Sequence, residues 1–165
     1  MSSRPSSRPN VPRQKTDAAL DVELAPDRSY GVLTELLGYR LRRAQIRIYQ
    51  DFLDVMDPWS ITPPRFSAMT LIRHNRDLKL TDLARAMGIA RSGAVEVVNS
   101  LEKLGYVRRS ASPTDRRAYA LVLTREGDEV LDEVTALIRE HDARVSARLS
   151  DEERTQLGAL LDRLG

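Results

Sequence analysis

The sequence predicts a mainly α-helical protein with a small β-hairpin wing: a winged helix-turn-helix set between N-terminal and C-terminal helices. Three observations carry that prediction. From Tyr30 onward, apolar residues recur at spacings of three and four along most of the chain. Between Leu80 and Gly105 this period is closed twice by glycine, at Gly88 and Gly105, which leaves one short helix and one longer one. After Gly105 the period falls to two, and SASPTDRR separates Tyr106-Val107 from Tyr119, Leu121 and Leu123, the pattern of a hairpin.

The elements follow in order. Residues 1–29 are rich in Ser, Arg and Pro and almost lack apolar periodicity, so a disordered tail is expected, its arginines either solvated or touching phosphate. Residues 30–61 form a dimerisation segment. A helix from Tyr30 to about Met56 carries the stripe Leu33, Leu37, Leu41, Ala44, Ile48 and Phe52, widened by Leu36, Tyr39, Ile46, Tyr49, Leu53 and Met56. Apolar over so much of its circumference, that helix needs cover on two sides, which favours packing on its own domain and on a partner chain.

Residues 62–124 form the winged helix-turn-helix. Asp57-Pro58-Trp59 ends the first helix, and Thr62 caps a second whose first turn holds Pro63 and Pro64. Thr81 is the expected N-cap of a third helix, with Leu83, Ala84 and Met87 packed inward. The fourth runs from about Ala90 to Leu104 on the stripe Ala94, Val97, Val98, Leu101 and Leu104. Residues 125–165 supply two more helices. Thr124 caps a long one with Val130 or Leu131, Val134, Leu137 or Ile138, His141 and Val145, and Ser150 to Glu153 is a capping box before Leu157, Leu160, Leu161 and Leu164.

Composition narrows the function classes. Cysteine is absent and His74 and His141 are the only histidines, so a disulfide framework, a redox thiol or a structural zinc site is not expected, nor any other metal or cofactor. The apolar runs are short and no secretory leader opens the chain, which points away from membrane and towards a cytoplasmic protein. No Ser, His and Asp set has nucleophile spacing and no Gly-rich phosphate loop occurs, so no enzyme is expected. The net charge of +2 conceals a division: residues 81–125 carry eight basic and four acidic side chains, residues 126–165 five and eleven.

A basic helix-turn-helix with a wing suits duplex DNA, one helix in a major groove and the hairpin tip in an adjacent minor groove. On the outward face of the fourth helix, Arg91 and Ser92 stand near its start. Arg91 can pair with guanine or phosphate and Asn99 with adenine or phosphate; Val95 can pack on a thymine methyl. Glu96 can accept from cytosine or orient Arg91 or Arg116. Thr81 joins this set from the preceding helix. The other reading is a winged helix used for protein assembly.

The chain resembles the MarR family of bacterial transcriptional regulators. The residues that carry the resemblance are LTDLARAMGIARSGAVEVVNSLEKLGYVRR, then Asp115-Arg116-Arg117 in the wing, then Leu123-Thr124-Arg125-Glu126-Gly127. The similarity spans about Tyr30 to Leu164. It implies an obligate homodimer whose first and last helices interlock, a wing in which Asp115 braces an arginine while Arg117 enters the minor groove, and Arg116 near phosphate. Gly93 stands where such proteins often carry a hydroxyl residue, and Glu96 where a basic or polar one is frequent.

Arg40, Arg43 and Arg47 share one strip of the first helix. With Tyr39, Tyr49, Trp59, Phe66 and Met69 as an apolar wall, the resemblance implies a cleft for a small anionic effector, an aromatic acid or an acyl-CoA thioester. Intersubunit pairing with the acidic C-terminal helices is the structural alternative for the same arginines. The expected function is therefore a ligand-responsive homodimeric repressor on a pseudo-palindromic operator; a DNA-binding regulator or activator without an effector is the runner-up.

Overall fold

A computed structural model of the 165-residue chain describes residues 27–111 and 119–164. A 3-10 turn, Gly31–Glu35, precedes α1 (Leu37–Met56), and a second, Asp57–Trp59, leads to α2 (Pro63–His74). Then come α3 (Leu80–Ala86), α4 (Arg91–Lys103), β1 (Val107–Ala111), β2 (Tyr119–Leu123), α5 (Arg125–Val145) and α6 (Asp151–Leu161). The chain divides into two compact units, Met1–Ile46 and Arg47–Gly165, with the division inside α1.

In the first unit the helix does not begin at Tyr30 as its stripe suggests. Leu36 leaves helical geometry at φ −82°, ψ 122°. The Thr34 carbonyl accepts the Arg40 guanidinium, from Nε at 3.2 Å and from the terminal nitrogen at 3.0 Å, in place of a helical N–H. A side chain six residues on thus occupies the acceptor that a continuous helix would need.

In the second unit, Phe52 and Met56 of α1 join Ile61, Ala68, Met69 and Ile72, and this cluster continues through Leu83, Val98 and Leu101 to Leu131 and Val134. Thr62 is the N-cap of α2 in extended geometry, with proline in the first turn. Thr81, in contrast, is not a cap. The Lys79 carbonyl accepts from Asp82 N at 3.0 Å and Leu83 N at 2.9 Å, so α3 starts at Leu80 and Thr81 is an exposed first-turn residue. Gly88 and Gly105 close α3 and α4 at φ +65° and +79°, the left-handed geometry that glycine adopts at no steric cost.

β1 and β2 pair antiparallel with Val107 opposite Leu123 and Ala111 opposite Tyr119. Leu121 N donates to the Leu78 carbonyl at 2.9 Å, which attaches the hairpin to the segment before α3. Thr124 caps α5, its hydroxyl accepting from Gly127 N at 2.9 Å and donating to the Gly105 carbonyl at 2.6 Å. Ser150 and Glu153 close a reciprocal capping box on α6. Leu157, Leu160, Leu161 and Leu164 are all exposed on this chain.

Candidate nucleic-acid interface

The inward face of α4 fixes the outward one. Ala94, Val98 and Leu101 have no exposed surface, so the helix cannot rotate without opening the core. Arg91, Ser92, Glu96 and Asn99 are therefore held outward, and all four are exposed. Val95 is half-buried at the margin of that face, and Gly93 beside it faces Ile89 at ordinary contact distance, 3.6 Å from a built Cβ. Ala90 caps the helix without a side-chain acceptor, so the first-turn N–H groups and the positive end of the helix dipole face whatever lies beyond.

Buttressing comes from a residue that sequence reasoning did not single out. Arg65 of α2 donates from Nε to Ser100 Oγ at 2.9 Å, and its guanidinium also reaches the Ser60 carbonyl. Ser100 in turn donates to the Val97 carbonyl at 2.7 Å. α2 thus grips α4 near its C-terminal end, at the flank of the exposed face, one turn beyond Glu96.

A second missed residue lies on the hairpin. Arg109 of β1 donates to Asn99 Oδ1 at 2.9 Å and lies 3.2 Å from Glu102 Oε2. Asn99 is therefore already engaged through its oxygen. Asp115, Arg116 and Arg117 fall within residues 112–118, outside the described residues. Thr81 is exposed on α3.

The expected effector residues take several different roles. In the first unit, Arg43 donates to the Tyr39 hydroxyl at 3.3 Å and its guanidinium lies 5.9 Å and 5.7 Å from the Tyr30 and Tyr39 ring centres. The Tyr39 hydroxyl, foremost, raises the Arg43 pKa above its ordinary value. Arg40 is engaged by the Thr34 carbonyl. In the second unit Arg47 is exposed and Tyr49 half-buried. Trp59 donates its indole N–H to Glu133 at 3.1 Å, and Phe66 packs against the core. Met69 is a core residue with no exposed surface. Its helical spacing fits a core position as well as a pocket wall, and it packs within the core cluster.

Among the described residues no group of acidic or histidine side chains is placed to hold a metal ion, and no helix is long and apolar enough to cross a membrane.

Comparison with known proteins agrees with this geometry. Residues 61–119 match the model of the MarR family. A protein of Thauera aromatica assigned to transcriptional regulation of the hcr operon is 39% identical over 136 residues, 82% of each chain. The transcriptional repressor CouR bound to a 23-mer DNA duplex superposes with a TM-score of 0.76 at 36% identity, covering 82% of this chain and 96% of that one. CouR bound to p-coumaroyl-CoA gives the same TM-score at 34% identity, covering 81% and 94%.

Proposed function

The chain belongs to the MarR family of transcription regulators, and from that premise we propose that it is a homodimeric repressor which releases its operator when a small anionic effector binds. The observation that carries the reading is the outward face of α4: Arg91, Ser92, Glu96 and Asn99 are exposed on a helix whose other side is locked in the core. Two such helices, related by a twofold axis, would enter successive major grooves roughly 34–36 Å apart.

In this reading Arg91 pairs with guanine or phosphate near the start of α4, and Ser92 and Val95 contact the adjoining bases. Arg117 enters the minor groove, where the narrow, negative channel favours a guanidinium; Asp115 braces a neighbouring arginine and Arg116 lies near phosphate. Support for the dimer comes from apolar side chains that this chain leaves exposed: Leu33, Leu37, Leu41 and Ile48 near its start and Leu157, Leu160 and Leu161 near its end. Residues 30–61 and 125–165 would then be the dimerising segments around the DNA-binding residues 62–124.

Support for the effector comes from the permanent charges of Arg40, Arg43 and Arg47 and from the relative bound to p-coumaroyl-CoA. An aromatic acid or its CoA thioester is the class we propose. Such a ligand releases DNA only to the extent that it binds the non-DNA-binding arrangement more tightly.

The test uses a duplex selected by the wild-type chain from a random-sequence pool. Arg117→Ala is expected to weaken binding at least tenfold in fluorescence anisotropy while the far-UV spectrum stays native. Titrating aromatic acids and acyl-CoA thioesters into the complex is expected to release the duplex. Unchanged binding by Arg117→Ala would overturn the wing assignment, and no release by any of these ligands would overturn the effector.

A further inference from the structure

We propose that Arg109 is a positioning residue that turns Asn99 into a phosphate donor and locks the first strand of the wing onto α4. This rests on the DNA-binding role of α4 and specifies how one part of that face works.

The chemistry of the three groups leaves little freedom. A guanidinium only donates, so the Asn99 atom 2.9 Å from Arg109 must be the amide oxygen. The amide's rotation is then settled: Oδ1 faces β1, and the two N–H bonds of Nδ2 are the end offered outward from an exposed position. Bidentate reading of adenine needs both ends of the amide, Nδ2 to N7 and Oδ1 from N6. Arg109 takes one of the two lone pairs of Oδ1, and its positive charge beside that atom disfavours a second donor there, so Nδ2 is the end left for a phosphate oxygen.

Glu102 completes the device. It lies one turn beyond Asn99 on α4, 3.2 Å from the same Arg109 nitrogen, and is less exposed than Arg109 itself. One terminal nitrogen of Arg109 thus reaches both Asn99 and Glu102, a helix-to-strand tie between the recognition helix and the base of the wing. Arg109 faces Leu121 across the hairpin, and Leu121 is bonded to Leu78, so the strand paired with β1 is itself anchored to the segment before α3. The two strands are therefore set relative to α4 before DNA arrives, which is the condition for contacts from both to be made together.

The decisive variant is Glu102→Ala. Removing a carboxylate near a polyanion, and freeing a guanidinium beside it, favours tighter binding on charge alone. The tie requires the opposite: affinity for the selected duplex is expected to fall about threefold to fivefold, the order carried by a partly exposed ion pair, and Glu102→Gln, which keeps an acceptor, is expected to restore most of it. Tighter binding by Glu102→Ala would overturn the proposal. Arg109→Ala is expected to weaken binding with the slope of log K against log salt unchanged; a slope shallower by about 0.9 would mean that Arg109 itself touches phosphate. That too would overturn it. Asn99→Ala is expected to lower affinity equally across a set of single-base operator variants, whereas relaxed preference at one A·T pair would show Asn99 reading a base and refute its assignment as a phosphate donor. Failure of the wild-type chain to select any duplex would instead defeat the repressor reading, so the two failures are distinguishable.

Discussion

Gly127 is where the structure makes its sharpest demand on a single residue. It lies in the first turn of α5, buried against the strand end of the hairpin, and a Cβ built there would stand 2.0 Å from the Tyr106 carbonyl oxygen. Restoring a 3.4 Å contact would require that oxygen to withdraw by about 1.4 Å. It is not free to do so: it accepts Thr124 N at 3.0 Å, and Tyr106 N is itself bonded to the Leu101 carbonyl at 3.0 Å. Overpacking of this kind costs about 1–3 kcal/mol, and loosening one or two of the adjoining hydrogen bonds about 1 kcal/mol each. The intrinsic helix preference for alanine offsets about 1 kcal/mol. Gly127→Ala is therefore expected to destabilise the protein by about 1–4 kcal/mol, roughly 2–15 °C in Tm for a chain of this size. Differential scanning calorimetry without DNA reads this directly. Gly93→Ala is the internal control, because its Cβ would meet only Ile89 at 3.6 Å within α4; it is expected to raise Tm by a few degrees. A Gly127→Ala protein as stable as wild type would refute the claim that steric approach, and not helix propensity, sets this position.

Two further outcomes follow from the helices around it. His141 is buried on α5, with Nε2 3.2 Å from Asp51 Oδ2 but outside hydrogen-bond geometry, and its ring meets Phe52 edge-on at 5.6 Å. His141→Ala is expected to cost about 2–4 kcal/mol by emptying that site, read as a lower urea midpoint; a change within about 0.5 kcal/mol would show that the cavity collapses. At the start of α6, the Glu152 carboxyl is held below its ordinary pKa, first by its own backbone N–H and then by the Ser150 hydroxyl. The folded state thus favours the ionised form, so this support for α6 is complete above the unfolded-state pKa and is lost as pH falls through the lower folded-state value. Helicity measured by circular dichroism is expected to decline over that acid window, and Ser150→Ala is expected to shift the decline to higher pH; coincident profiles would refute the role of Ser150.

What the sequence made legible were the features with a short range in the chain. The stripe of Ala94, Val98 and Leu101 identified the buried side of α4 because a helix repeats its faces every three to four residues. Thr124 and Ser150 were recognisable caps because the groups they satisfy lie three residues away. The same rule failed at Thr81, where the Lys79 carbonyl starts the helix two residues earlier, and at Leu36, where the Arg40 side chain takes a carbonyl from the helix. Met69 shows a different limit: an apolar residue at helical spacing fits a core or a ligand wall equally, and periodicity does not choose. Trp59 with Glu133 and Arg65 with Ser100 are pairs across long stretches of chain, and nothing in the local sequence of either partner marks the other.

The tie between Arg109 and α4 combines both kinds of information. Its partners Asn99 and Glu102 are three apart, so they share a helix face, and that much is readable from spacing alone. Whether anything reaches that face depends on the path of the chain after α4. Gly105 at φ +79° turns it back, Tyr106 N bonds to the Leu101 carbonyl, and β1 then runs past the last turns of the helix it has just left. Only with that reversal in place does Arg109, second after Val107 on the strand, come to lie beside Asn99. The left-handed glycine was visible as a helix stop, but its consequence, a wing fastened to its own recognition helix, needed the direction of the chain beyond it.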